Sequence, residues 1–180
     1  MDSNSPQSQY PVSLRRFHWT QFALVLLAYV FINTFQWFPR GSAVRSDVLG
    51  AHFLAGLAVL LLVLPRLLAR LRKGRPPVSP TPPIWIERVG RITHVALYLF
   101  LFIQPILGII TLQIGGKPVS LFGVTLLPSF VAHPDKALSH QFEYIHGTLG
   151  EVFYYVIGLH ILAALWHHYW RHDNTLKRML

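Results

Sequence analysis

Four stretches of this chain stay apolar for about 20 residues each, the length an α-helix needs to cross a hydrocarbon core about 30 Å thick. They run over residues 17–38, 48–69, 91–113 and 144–169. A backbone inside lipid must satisfy its N–H and C=O groups internally, so four such stretches dictate four helices packed on one another. The predicted fold class is an all-α membrane protein, a four-transmembrane-helix bundle forming one domain over residues 1–180. Composition agrees, because 52% hydrophobic and only 13% charged residues lie outside the soluble range. Pro65 falls near the end of the second stretch and Pro105 inside the third. Both are tolerable where neighbouring helices or waters take up the freed carbonyl. Between these stretches, RKGRPPVSPTPP is too rich in proline for a helix and reads as an extended linker.

The formal charge of +9 raises nucleic acid as a partner, but the basic residues are clustered between apolar runs, as topology signals are. No nucleic-acid partner is expected. Twelve of the sixteen Lys and Arg fall on one side: Arg15 and Arg16, the seven between residues 66 and 91, and Arg171, Lys177 and Arg178. Only Arg40, Arg45, Lys117 and Lys136 fall on the other. The positive-inside rule then places both termini and the central linker in the cytoplasm, and residues 115–143 in the principal external loop. The basic start lacks a small-residue cleavage site and the apolar run after it is too long for a signal peptide, so it reads as a retained first helix. With no cysteine, disulfides, iron-sulfur clusters, thiol catalysis and covalent haem attachment are excluded.

The fourth stretch carries His146 and His160, fourteen residues apart. That is about 21 Å along a helix and two heptads, so in a left-handed bundle both imidazoles face the same seam. One metal centre cannot use both, whereas two centres stacked across the membrane can. Depth supplies partners: His52 is level with His146 near the external face, and His18 is level with His160 near the cytoplasmic face. Paired imidazoles inside a helical bundle, with neither thiolates nor a carboxylate cluster, are what six-coordinate b-type haem requires. Gly56, Gly150 and Ala164, each four residues after a histidine, leave room for a flat macrocycle. His94 lies at the depth of His18 and His160, leaving three candidates for two coordination positions. His167 belongs to the WHHYWRH cluster, which reads as an interfacial belt. His133 and His140 read as solvated loop residues.

From RRFHW through FPR, PRLLARL and THVALYLFLFIQPILG to YYVIGLHILAALWHHYW and DNTLKRM, nearly the whole chain resembles the bacterial cytochrome b561 family. The resemblance implies a four-helix bundle of the bacterial inner membrane enclosing two haem b groups. It places His18 and His160 on the iron of the cytoplasmic haem and His52 and His146 on the iron of the external haem, with His94 a non-ligand. It further implies a superoxide:quinone oxidoreductase, with membrane lipid, a quinone and a small external donor such as superoxide as partners. Glu151 departs from the neutral residue expected inside the membrane and points to a proton role or to pairing with Tyr154 or Tyr155. Arg15 or Arg16 is placed to meet haem propionates or to fix topology. Two rival readings are a cytochrome b subunit anchoring a dehydrogenase or hydrogenase, and a histidine-lined metal or proton transporter.

Overall fold

A computed structural model describes residues 9–180 of the chain. Four long helices dominate it. Helix α1 spans Val12–Thr34 and ends in a 3₁₀ turn, Phe35–Trp37. Helices α2 (Ala43–Lys73), α3 (Ile84–Ile114) and α4 (Lys136–Tyr169) follow. All four are long and apolar enough to cross a membrane.

Helices α2, α3 and α4 overrun the apolar stretches that signal them, whereas α1 starts before its stretch of 17–38 but ends within it. A helix of 31 residues such as α2 is about 46 Å long, well beyond a hydrocarbon core of about 30 Å. Hydropathy finds the part in lipid, whereas local chemistry sets the ends. Ser42 caps α2 by accepting from the Arg45 amide at 3.2 Å, and Gly74 stops it with a positive φ of 68°, a backbone conformation open to glycine. Asp135 caps α4 by accepting from the Leu138 amide at 2.9 Å. That cap starts α4 at Lys136, so His140 is helical and bonded to Glu143 at 3.1 Å; the loop between α3 and α4 is shorter than the expected 115–143. Helix α2 runs unbroken through Pro65 and α3 through Pro105. Residues 74–83 contain no helix.

The shortened loop holds an element the sequence reading lacks. Strands β1 (Val119–Leu121) and β2 (Val124–Leu127) form an antiparallel hairpin. Its two-residue turn, Phe122-Gly123, has φ of 49° and 76°, the doubly left-handed conformation that matches strand twist in tight hairpins. Asp47 stabilises the turn by accepting from the Phe122 amide at 2.7 Å. The hairpin rests on α2 where Gly50 leaves room, since a Cβ there would lie 2.2 Å from the Ser120 carbonyl oxygen.

Packing is uneven, and the unevenness makes the sites. Helix α1 packs along α2, α3 along α4, and α2 against α3, but α4 approaches α1 and α2 only sparsely. The bundle is therefore two helix pairs with space between them. A plug closes that space at mid-height: Val59, Val63, Phe100, Leu101 and Phe153 form the buried core. The Phe100 and Phe153 rings stack 4.0 Å apart. Phe153 lies seven residues from both His146 and His160, so the plug separates two compartments on one seam. Large apolar residues such as Leu61, Leu64, Leu159 and Leu162 point outward, as a lipid-facing surface requires.

Both ends of the described chain lie together. The Tyr10 amide donates to the Arg178 carbonyl at 3.0 Å, and the Asn174 amide donates to the Ser79 carbonyl at 3.1 Å. The terminal end of the bundle thus carries the start, the tail and the 74–83 linker; the other, the hairpin end, carries the turn after α1 and the β-hairpin.

Candidate haem sites between the helix pairs

At the hairpin end, His52 of α2 and His146 of α4 meet across the gap. Their ring centres are 6.2 Å apart with the planes perpendicular. Two imidazoles sharing one metal need two bonds of about 2 Å plus two ring radii, roughly 6 Å in all. Each Nδ1 is held by a backbone carbonyl: His52 donates to Ala28 O at 2.8 Å and His146 to Gln104 O at 3.0 Å. Those bonds fix the tautomer and leave both Nε2 atoms as available lone-pair donors, which is how metal-bound imidazoles are normally oriented.

The surroundings fit a flat macrocycle. A cavity of about 250 Å³ lies on the α1 side of the pair, walled by Tyr29, Ile32 and Tyr154 among others. A second of about 110 Å³ lies on the α3 and hairpin side, reaching Val119 and Leu127. His52, His146, Gly56 and Pro105 line both. A Cβ on Gly56 or Gly147 would meet nothing within 4 Å, so both glycines open onto space. Gly150 serves differently: a Cβ there would come within 3.1 Å of Gln104 Nε2, and its carbonyl accepts from the Tyr29 hydroxyl at 2.8 Å.

Two supporting residues escape a reading based on histidines alone. Gln104 grips the His146 turn twice, its Nε2 donating to the His146 carbonyl at 2.8 Å while its own carbonyl takes the ring. Gly108 lets α3 approach that ring, since a Cβ would stand 3.2 Å from His146 Cε1. The signal for both was the neutral polar and small residues in FIQPILG, an otherwise apolar run. Glu151 also lines the larger cavity. Among the described residues it is hydrogen-bonded to neither tyrosine; the Tyr154 hydroxyl accepts from Asn33 at 2.5 Å.

At the terminal end three imidazoles gather. His94 of α3 lies 5.6 Å from His160 of α4, ring centre to ring centre, and His18 of α1 is within electrostatic reach of His160 and Arg66. The Nδ1 atoms of His18 and His94 are buried without hydrogen-bond partners among the described residues. Arg66 is fixed by Gln21, donating to its Oε1 at 2.7 Å, while fully buried Gln21 donates to the Val59 carbonyl at 3.2 Å. Arg66 lies over the Tyr98 ring, 5.2 Å from its centre. Arg70 Nη2 and Arg15 Nε are buried and unpartnered among the described residues. A compartment rich in cations suits a cofactor bearing carboxylates.

His167 is not simply part of an interfacial belt. It bonds Asp173 at 2.5 Å, and Asp173 is only 2% exposed. Burial pushes the Asp173 carboxyl up, but hydrogen bonds from His167 and Thr175 outweigh it and hold the group below the usual carboxylate range.

Comparison with known proteins agrees with this architecture. The family model for prokaryotic cytochrome b561 matches residues 9–180. Cytochrome b561 homolog 1 of Escherichia coli (strain K12) is 34% identical, covering 91% of this chain and 92% of its own. The Yersinia pestis protein named "Probable superoxide oxidase CybB" is 36% identical over 91% of this chain and 90% of its own. Cytochrome b561 homolog 2 of E. coli is 29% identical over 99% and 94%. The chain belongs to the prokaryotic cytochrome b561 family, and is a multi-pass membrane b-type cytochrome that transfers electrons.

Proposed function

We propose that the chain is a superoxide:quinone oxidoreductase with two haem b groups, His52 and His146 holding one and His18 and His160 the other. The observation that carries the first site is the 6.2 Å ring separation of two imidazoles whose Nδ1 atoms are both tied to carbonyls. For the second, helix packing favours His18 over His94. Helices α3 and α4 pack directly, so the 5.6 Å ring separation of His94 and His160 follows from that helix contact alone. His18, like His52, stands on the first helix pair, which α4 approaches only sparsely, and it lies within electrostatic reach of His160.

Bound b-type haem supplies a one-electron carrier, and with two imidazoles on each iron no position remains for binding oxygen. The chain's own part is to fix ligand rings, exclude water with the Phe100–Phe153 plug, and surround the terminal compartment with arginines. Two superoxide ions each lose one electron and leave as dioxygen; one quinone takes both electrons with two protons and leaves as quinol. The relative named for superoxide oxidation supports the donor. The excess of Lys and Arg at the terminal end supports a cytoplasmic location for both termini, in the bacterial inner membrane. Residues 1–180 act as one domain.

The test is to mix superoxide with detergent-purified holoprotein and a soluble quinone and follow both by stopped flow. One quinol formed per two superoxide ions consumed supports the reading. Superoxide decay at the rate of buffer alone, or decay without quinol, overturns it.

A further inference from the structure

The DNTLKRM tail has no part in the proposed electron transfer, yet it is hydrogen-bonded to α1, to α4 and to the 74–83 linker. Where it is anchored determines what it does. On α4 it is held by Asp173, buried against His167. His167 is seven residues beyond His160 and so on the same seam. On α1 its last carbonyls accept from two residues that flank His18: Arg15 donates to the Leu180 carbonyl, and Trp19 Nε1 donates to the Met179 carbonyl at 2.7 Å. The Trp19 ring in turn stands edge-on to the His18 ring, 5.1 Å between centres. The tail therefore runs from the helix of His160 to the turn of α1 that bears His18. Those two helices barely pack on each other, so direct contact does not fix the distance between the two imidazoles.

We propose that residues 171–180 are a strap that sets the separation and orientation of His18 relative to His160, making Trp19 and Asp173 positioning residues for the haem at the terminal end. The inference rests on His18 and His160 being that haem's ligands. The hairpin end offers a parallel: the β-hairpin, carried on the α3–α4 loop, reaches α2 through Asp47 and Gly50. A strap that only stabilised the fold would affect both haems alike or neither. One acting through Trp19 affects a single haem, because ring orientation and outer hydrogen bonds govern the electronics of an axial imidazole.

The test uses full-length holoprotein and electron paramagnetic resonance of the two low-spin ferric haems, with haem content measured in parallel. The variants are Trp19→Phe, which keeps a ring against His18 but loses the N–H donor, Asp173→Asn, and a chain ending at Arg178. Each is expected to displace or broaden one of the two ferric signals and leave the other in place. His18→Ala is the control that separates the two hypotheses. If it leaves both signals intact, His18 is not a ligand and the strap proposal falls with that reading. If it abolishes one signal while the strap variants leave that signal unmoved, or move both equally, the strap proposal alone is overturned.

Discussion

Both ends of the bundle gather imidazoles around a histidine of α4, and they hold them differently. At the hairpin end both rings are held by backbone: Ala28 O and Gln104 O each take an Nδ1. At the terminal end the Nδ1 atoms of His18 and His94 have no such partner among the described residues; arginines stand near His94, and the tail is bonded to α1 beside His18. A carbonyl on a neighbouring helix fixes a ring rigidly and locally. A strap fixes it through a helix turn and can be cut. The difference predicts that substitutions will act on one end at a time, with the Phe100–Phe153 plug between them.

The largest break should come from Gly50→Val. Its Cβ would strike a backbone oxygen at 2.2 Å, so the hairpin must move off α2, and overpacking of this kind costs about 1–3 kcal/mol or more. Thermal unfolding of holoprotein in detergent should show the loss, with the haem at the hairpin end released first. Gly108→Ala should follow. There the contact is a ring carbon at 3.2 Å, which can yield by a few tenths of an ångström, at a cost of about 1 kcal/mol. Difference spectra should then show that haem shifted and the other unchanged; an equal shift in both would break the comparison.

Gln104→Leu is gentler. It removes the donor to the His146 carbonyl but keeps the backbone carbonyl that takes the ring, so about 0.5–1.5 kcal/mol is lost. Haem content at the hairpin end should fall only slightly.

The smallest effect is on pH dependence at the terminal end. The folded Asp173 carboxyl titrates below its unfolded value of about 4. Its contribution to tail docking is therefore fully present above about pH 4 and lost as pH falls through the lower folded value. Carboxypeptidase trimming of the tail, sampled down the acid range, should stay slow to below about pH 4 and then accelerate. Asp173→Asn should trim faster throughout with that acid step removed.

Much of the molecule is legible in the sequence because lipid leaves few options. Apolar length gives four helices, and the fourteen-residue interval places His146 and His160 on one seam at two depths. The helix ends are less legible, because Ser42, Gly74 and Asp135 act through caps outside the apolar runs. The hairpin is hidden because Val119 and Leu127 pack into the second cavity, a contact made by residues far apart in sequence. Asp173 and His167 are six residues apart, yet their pairing is invisible until the chain reverses after α4. His94 shows the opposite problem. Depth alone makes it equal to His18; the family resemblance separates them, and in the proposed reading so does the packing of α3 on α4.

The central claim is that each compartment holds one b-type haem between a histidine of α4 and one of the first helix pair. Haem stoichiometry with reduced-minus-oxidised spectra, on purified native protein and on His18, His52, His94, His146 and His160 each changed to Ala, tests it most directly. The account predicts two haems per native chain. Loss of one haem is expected from His52→Ala or His146→Ala, loss of the other from His18→Ala or His160→Ala, and full occupancy in His94→Ala. A single haem in the native chain, or loss on changing His94 with none on changing His18, would contradict it.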